Sequence, residues 1–97
     1  MRAEYDSAAD AISIVLADNA RAVRGVEVHE RAVVDLSAEG PVAVQLLYPG
    51  DGIDEPLLAA AARFDLDAEA IEAAASSALA APDRVVNLDV AERGAPA

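Results

Sequence analysis

The sequence contains no cysteine, no tryptophan and no lysine. Without cysteine there is no disulfide, no thiol nucleophile and no thiolate zinc site. Only three residues are aromatic, Tyr5, Tyr48 and Phe64, so the core has to come from Val, Ile, Leu and Ala. A single histidine, His29, leaves one candidate for imidazole chemistry. No apolar run approaches the roughly 18–20 residues that a membrane-spanning helix requires. The first residues lack a basic segment followed by an apolar one, so no signal peptide is expected, and the cytoplasm is the expected location.

Positive charge is scarce as well. The seven basic residues are all arginine, against 18 acids, and the net charge is −11. Binding to phosphate backbones or anionic lipid relies on Lys and Arg replacing counterions, so neither nucleic acid nor membrane is expected as a partner. The same charge favours a basic protein partner.

The 97 residues suggest one domain with a modest core. Residues 1–49 read as an antiparallel meander. Arg2 to Asp6 and Ala11 to Ala17 are short alternating strands, the second with Ile12, Ile14 and Leu16 on one face. Between them, Asp6 is placed to accept hydrogen bonds from backbone N–H groups two residues on, and Asp10 to do the same where the next strand begins. Val23 to Val28 is a weaker strand, with Gly25 as a candidate bulge. Ala32 to Ser37 and Val42 to Tyr48 follow, the latter with Val42, Val44, Leu46 and Tyr48 on one side. Gly40 supplies the positive φ of the turn between them.

Residues 50–83 read as a helical hairpin. Asp54 is the expected N-cap of the first helix and Asp67 of the second, which runs from Ala68 to about Ala80. Residues 84–91 form a returning strand with Val86, Leu88 and Val90 on one face, and residues 92–97 a frayed tail. The expected fold class is therefore α+β: an antiparallel meander sheet of five to six strands with a C-terminal helical hairpin packed on one face.

The stretches EYDSAADAISIVL and VVDLSAEGPVAVQLL resemble a bacterial family, domain of unknown function 2283. Tyr5, Asp6, Ala9, Asp10 and Ala11 match its opening Tyr-Asp-x-x-Ala-Asp-Ala motif, and Val33, Val34 and Asp35 match its second stretch. The family's Gly-Ile-Glu is Ala43-Val44-Gln45 here, and an aromatic of its second strand is Ser13. The likeness spans roughly residues 1–48. It implies kinship of fold and a structural part for Tyr5, Asp6, Ala9, Asp10, Ala11 and Asp35. It implies no activity, and only a loose association with small toxin-like proteins.

No catalytic constellation emerges. Asp6 and Asp10 are the candidate metal ligands, but two carboxylates flanking a turn more often cap it, and no calcium-loop pattern is present. His29, beside Glu27 and Glu30, is expected on the surface, without the nucleophile and orienting acid that catalysis requires. In the hairpin, Ala61, Phe64, Leu66, Ile71 and Ala74 have helix-turn-helix core spacing. A DNA reader would carry Arg, Gln or Asn outward, whereas eight acids face one base, Arg63, between Asp51 and Asp83. No cofactor is expected and the chain is not expected to be an enzyme. The expected role is a small, acidic, non-catalytic protein-interaction module, antitoxin-like toward a basic partner. The alternative is a small-ligand or metal-binding module built on Asp6 and Asp10. A homodimer is also expected. The outer sheet face carries Val15, Val33 and Leu47 beside Ser13, Asp35 and Gln45, and the 84–90 strand has no neighbour in sequence.

Overall fold

A computed structural model describes residues 1–88. The strands are β1 (Arg2–Asp6), β2 (Ala11–Val15), β3 (Arg24–His29), β4 (Ala32–Ser37), β5 (Gly40–Leu47) and β6 (Val85–Asn87). The helices α1 (Asp54–Phe64) and α2 (Ala68–Ala80) lie between β5 and β6. The fold is α+β, one antiparallel sheet of six strands with the hairpin packed against it.

Alternation decides which side of each strand is buried. Ala3, Ile12, Ile14, Ala32, Val34, Leu36, Val42, Val44 and Leu46 share one face and are buried. Against them pack Leu57, Ala60 and Ala61 of α1 and Ile71, Ala74, Ala75 and Ala78 of α2. The two helices divide the sheet: α2 lies over β1 and β2, and α1 over β3, β4 and β5. Alanine is what lets both helices come down onto the strands, since a small side chain holds the backbone close to the sheet.

The strand order, β3-β4-β5-β2-β1-β6, is not that of a single meander. The β1–β2 hairpin is inserted beside β5, with Ile14 opposite Val44, so β2 and β3 are consecutive in the chain but not neighbours. The C-terminal strand pairs within its own chain, Ala3 opposite Val86, which removes the unpaired strand from the argument for a dimer. Val90 and the tail of residues 92–97 lie outside the described residues.

Three local expectations are corrected. Asp54 does not cap α1: the N-cap is Ile53, already in a helical conformation, and Asp54 is the first helical residue, where its charge meets the positive end of the helix dipole. The irregularity in β3 falls between Glu27 and His29 rather than at Gly25, where an added Cβ would come within 3.0 Å of a Val33 methyl. Tyr48 does not continue the buried row of β5. It turns into a left-handed conformation, φ 49°, and points to solvent ahead of a 3₁₀ turn at Pro49–Asp51.

Asp67 caps α2 as expected, its backbone extended and its carboxylate accepting from the N–H of Ala70 at 3.1 Å. Asp67→Ala is therefore expected to lower stability by about 1 kcal/mol in denaturant titration. Glu72 of α2 meets Asp54 of α1 across the hairpin, and the shared hydrogen bond raises the Glu72 carboxyl above its ordinary value, with burial and the Asp54 and Glu69 charges adding to it. A group raised on folding stabilises the fold at low pH and loses that contribution as pH climbs through its folded value. Glu72→Gln should raise Tm at pH 7, and the gain should vanish on acidification below about pH 4.

Candidate functional site

The motif residues meet at the corner joining β1, β2 and the segment before β6. The Asp6 carboxylate accepts from the backbone N–H groups of Ala8 (3.0 Å) and Ala9 (3.2 Å), which is the turn-capping expected of it. Asp10 acts differently. Its backbone is left-handed, φ 53°, a conformation that Asp tolerates, and its carboxylate accepts the Tyr5 hydroxyl proton at 2.8 Å rather than a backbone N–H. Its carbonyl accepts from the N–H of Tyr48 at 2.9 Å, tying the corner to the end of β5. Ala9 is exposed in the turn, and Ala11 begins β2 half-buried.

Asp83 completes this corner and carries no signal in the sequence. It sits 76 residues from Ser7, yet its two carboxylate oxygens accept from the Ser7 N–H (2.9 Å) and the Ser7 hydroxyl (2.7 Å). Its own N–H donates to the Tyr5 carbonyl at 2.7 Å. The Ser7 bonds hold the Asp83 carboxyl below its usual value. Tyr5 is held above its usual value, chiefly by its bond to Asp10, then by burial and the charges of Asp10, Asp83 and Asp6. A phenol with its proton held this tightly is neither base nor nucleophile at neutral pH. Among the described residues no group of three His, Asp or Glu side chains could hold a metal ion. Asp6 and Asp10, the candidate ligands, are each engaged in a structural bond.

His29 is less exposed than expected, with its side chain only 16% accessible. Nδ1 accepts from the N–H of Arg31 at 3.1 Å, which leaves the ring proton on Nε2 to face Glu55 Oε1 at 2.9 Å. That bond is the main reason the Glu55 carboxyl lies below its usual range. Arg31, which no motif announces, closes the joint between sheet and hairpin. Its guanidinium donates to the carbonyls of Tyr48 (3.1 Å) and Gly52 (2.9 Å), and at 3.4 Å to those of Leu47 and Asp51. Gly52, at φ 111°, has a backbone conformation that a side chain would strain.

The other face of the sheet has none of the described strands or helices packed on it. Its middle carries Ala11, Ser13, Val15, Val33, Ala43 and Leu47. Asp35 lies among them and accepts from Gln45 Nε2 at 3.1 Å, so the Gln of the variant Ala43-Val44-Gln45 stretch has a visible use. The segment between β2 and β3 forms a rim at one end, where Asp18 pairs with the Arg2 guanidinium. Between rim and sheet is a shallow depression lined by Arg2, Asp18, Asn19, Asp35 and Gln45. No helix of the described residues is long and apolar enough to cross a membrane. No family model matches the chain, and neither a curated protein nor a solved structure matches it.

Asp6→Ala is expected to cost about 1 kcal/mol, as loss of a local cap does. Calcium, magnesium or manganese should leave Tm unchanged; a shift of several degrees at sub-millimolar metal would contradict the capping role. Asp83 and Glu55 are lowered on folding. Their contribution is complete above the unfolded carboxylate values near about pH 4 and fades as pH falls through the lower folded values. Asp83→Asn should therefore flatten the fall of Tm measured between about pH 5 and pH 2.

Proposed function

We propose that the protein is a cytoplasmic, non-catalytic interaction module that works as a homodimer joined through the uncovered face of its sheet. Its acidic exterior then receives a basic partner, in the manner of an antitoxin. The observation that carries this reading is the uncovered face itself. An antiparallel sheet covered on one side ordinarily turns polar side chains to water on the other. Here the middle of that side sets Ala11, Val15, Val33, Ala43 and Leu47 among Ser13, Asp35 and Gln45, and Val85, 55% accessible, stands beyond Glu4 at the β6 edge. Contiguous apolar surface of several hundred Å² on a small protein marks an interaction site.

The carboxylates of the β1–β2 corner support the non-catalytic part of the reading. Tyr5, Asp6, Asp10 and Asp83 hold one another and the backbone, which favours structure over the ligand- or metal-binding alternative. The resemblance of residues 1–48 to domain of unknown function 2283 adds kinship without activity, and we carry it as part of this proposal. Charge supplies the preference for a basic partner.

Size-exclusion chromatography with light scattering at tens of micromolar should give twice the chain mass of 9.9 kDa. A mass equal to one chain overturns the homodimer. Proteins retained on the immobilised chain at about 0.1 M salt and released at about 0.5 M should be more basic than the input, since screening weakens such contacts. An eluate no more basic than the input counts against the acidic exterior as the recognition surface. Duplex DNA should show no retention in a gel-shift assay at protein concentrations up to about 1 µM.

A further inference from the structure

The uncovered face is self-complementary in one arrangement. We infer that two copies pack it face to face about a two-fold axis parallel to the strands, running between β2 and β5, so that Arg2 of each copy meets the partner's Asp35. This rests on the homodimer reading and gives it a geometry.

The strand register lays the face out as rows. One row runs Asn87, Arg2, Val15, Ala43, Asp35, Gly25 across the six strands from β6 to β3. The next runs Val85, Glu4, Ser13, Gln45, Val33, Glu27. A third holds Asp6, Ala11 and Leu47. A two-fold axis parallel to the strands exchanges the halves of the sheet and keeps each row on itself. It sets β5 over the partner's β2 and β4 over the partner's β1.

In this arrangement Ala43 lies opposite the partner's Val15, Ser13 opposite the partner's Gln45, and Ala11 opposite the partner's Leu47. Each small side chain is met by a larger one, so the two faces interdigitate at the roughly 10 Å spacing of stacked sheets. Asp35 lies opposite the partner's Arg2, twice by symmetry. The usual angle of about 30° between aligned sheets displaces these two positions by roughly 4 Å, within reach of an arginine. The pairing of Arg2 with Asp18 already holds its guanidinium at the rim of this face.

The alternative axis, perpendicular to the strands through the middle row, sets Arg2 on the partner's Asp6 but also Glu4 on the partner's Glu4 and Glu27 on the partner's Glu27. Like charges directly opposed are unfavourable. Sliding that axis by half a row relieves the repulsion but leaves Ala11 and Leu47 outside the contact. Charge and coverage therefore select the axis parallel to the strands. Six strands about 4.8 Å apart and five residues long project to about 500 Å² per copy. This lies at the low end of specific interfaces, which as standard bury about 800 Å² per partner.

Arg2→Asp and Asp35→Arg test this arrangement. Each variant alone opposes like charges at two symmetric contacts, and each should elute as a single chain, with dimer affinity at least tenfold weaker. Mixed in equal amounts, the two should form a heterodimer, because every contact then joins opposite charges, and native mass spectrometry reads it directly. Variants that dimerise like the parent, or a mixture that stays monomeric, overturn the arrangement while a dimeric parent leaves the homodimer standing. A parent monomeric at tens of micromolar overturns both. Circular dichroism confirms folding. Should a charge-reversed chain fail to fold, the near-isosteric Asp35→Asn and the uncharged Arg2→Gln should each weaken the dimer several-fold, and no weakening in either overturns the arrangement.

Discussion

The sheet is buried on one side only, and the rest of the molecule follows from that. Ile12, Ile14, Val34, Val44 and Leu46 are fully enclosed, and all of them point to the side that the hairpin covers. Period two makes this strict, because slipping any strand by one residue would turn its buried row to water. Between them, α1 and α2 span the sheet from β1 to β3. Their covering stripe is largely alanine, which allows close approach but adds little width. After the two helices, the remaining described residues are spent on the short edge strand β6, and nothing among them closes the second face.

A sheet held from one side needs its edges and corners fixed by other means, and the polar contacts supply this. β1 is the inner neighbour of the last strand, and the bonds of the Tyr5 hydroxyl to Asp10 and of the Asp83 N–H to the Tyr5 carbonyl tie it to both β2 and the segment before β6. At the far edge the His29–Glu55 bond joins β3 to the start of α1. Arg31 fastens the chain where it leaves β5 for the hairpin, by donating to the Tyr48 and Gly52 carbonyls of the connecting turn. These contacts hold three seams closed.

The strands, the hairpin and the covered face were legible in the sequence because each depends on local period and local turn chemistry. Asp6 was legible for the same reason, since its partners lie two and three residues away. What could not be read is what depends on contacts distant in the chain. Alternation says which side of a strand is buried but not which strand lies beside it, so the placement of β2 against β5 was invisible. The partnership of Ser7 with Asp83 leaves no local trace. Asp54 and Asp67 carry the same capping signal. They differ only because Ile53 is already helical, whereas Asp67 itself is extended, and that is set by the turn geometry on either side. His29 looked like a surface residue because Glu55, its partner, belongs to another element.

The charge distribution bears on how a chain of net −11 could associate with itself at all. Two such molecules repel at long range, so contact is favourable only where the local surface is nearly neutral and gains more than the repulsion costs. The two innermost strands of the uncovered face, β2 and β5, meet that condition, since Ala11, Ser13, Val15, Ala43, Gln45 and Leu47 carry no charge. Around them Arg2, Glu4 and Asp6 stand on β1, Asp35, already bonded to Gln45, on β4, and Glu27 on β3. Elsewhere the acids dominate, as on the hairpin, where Asp54 and Glu72 are close enough to share a hydrogen bond. Burying these neutral columns and leaving the acidic hairpin in water satisfies both tendencies, and it leaves the hairpin free to meet a partner of opposite charge.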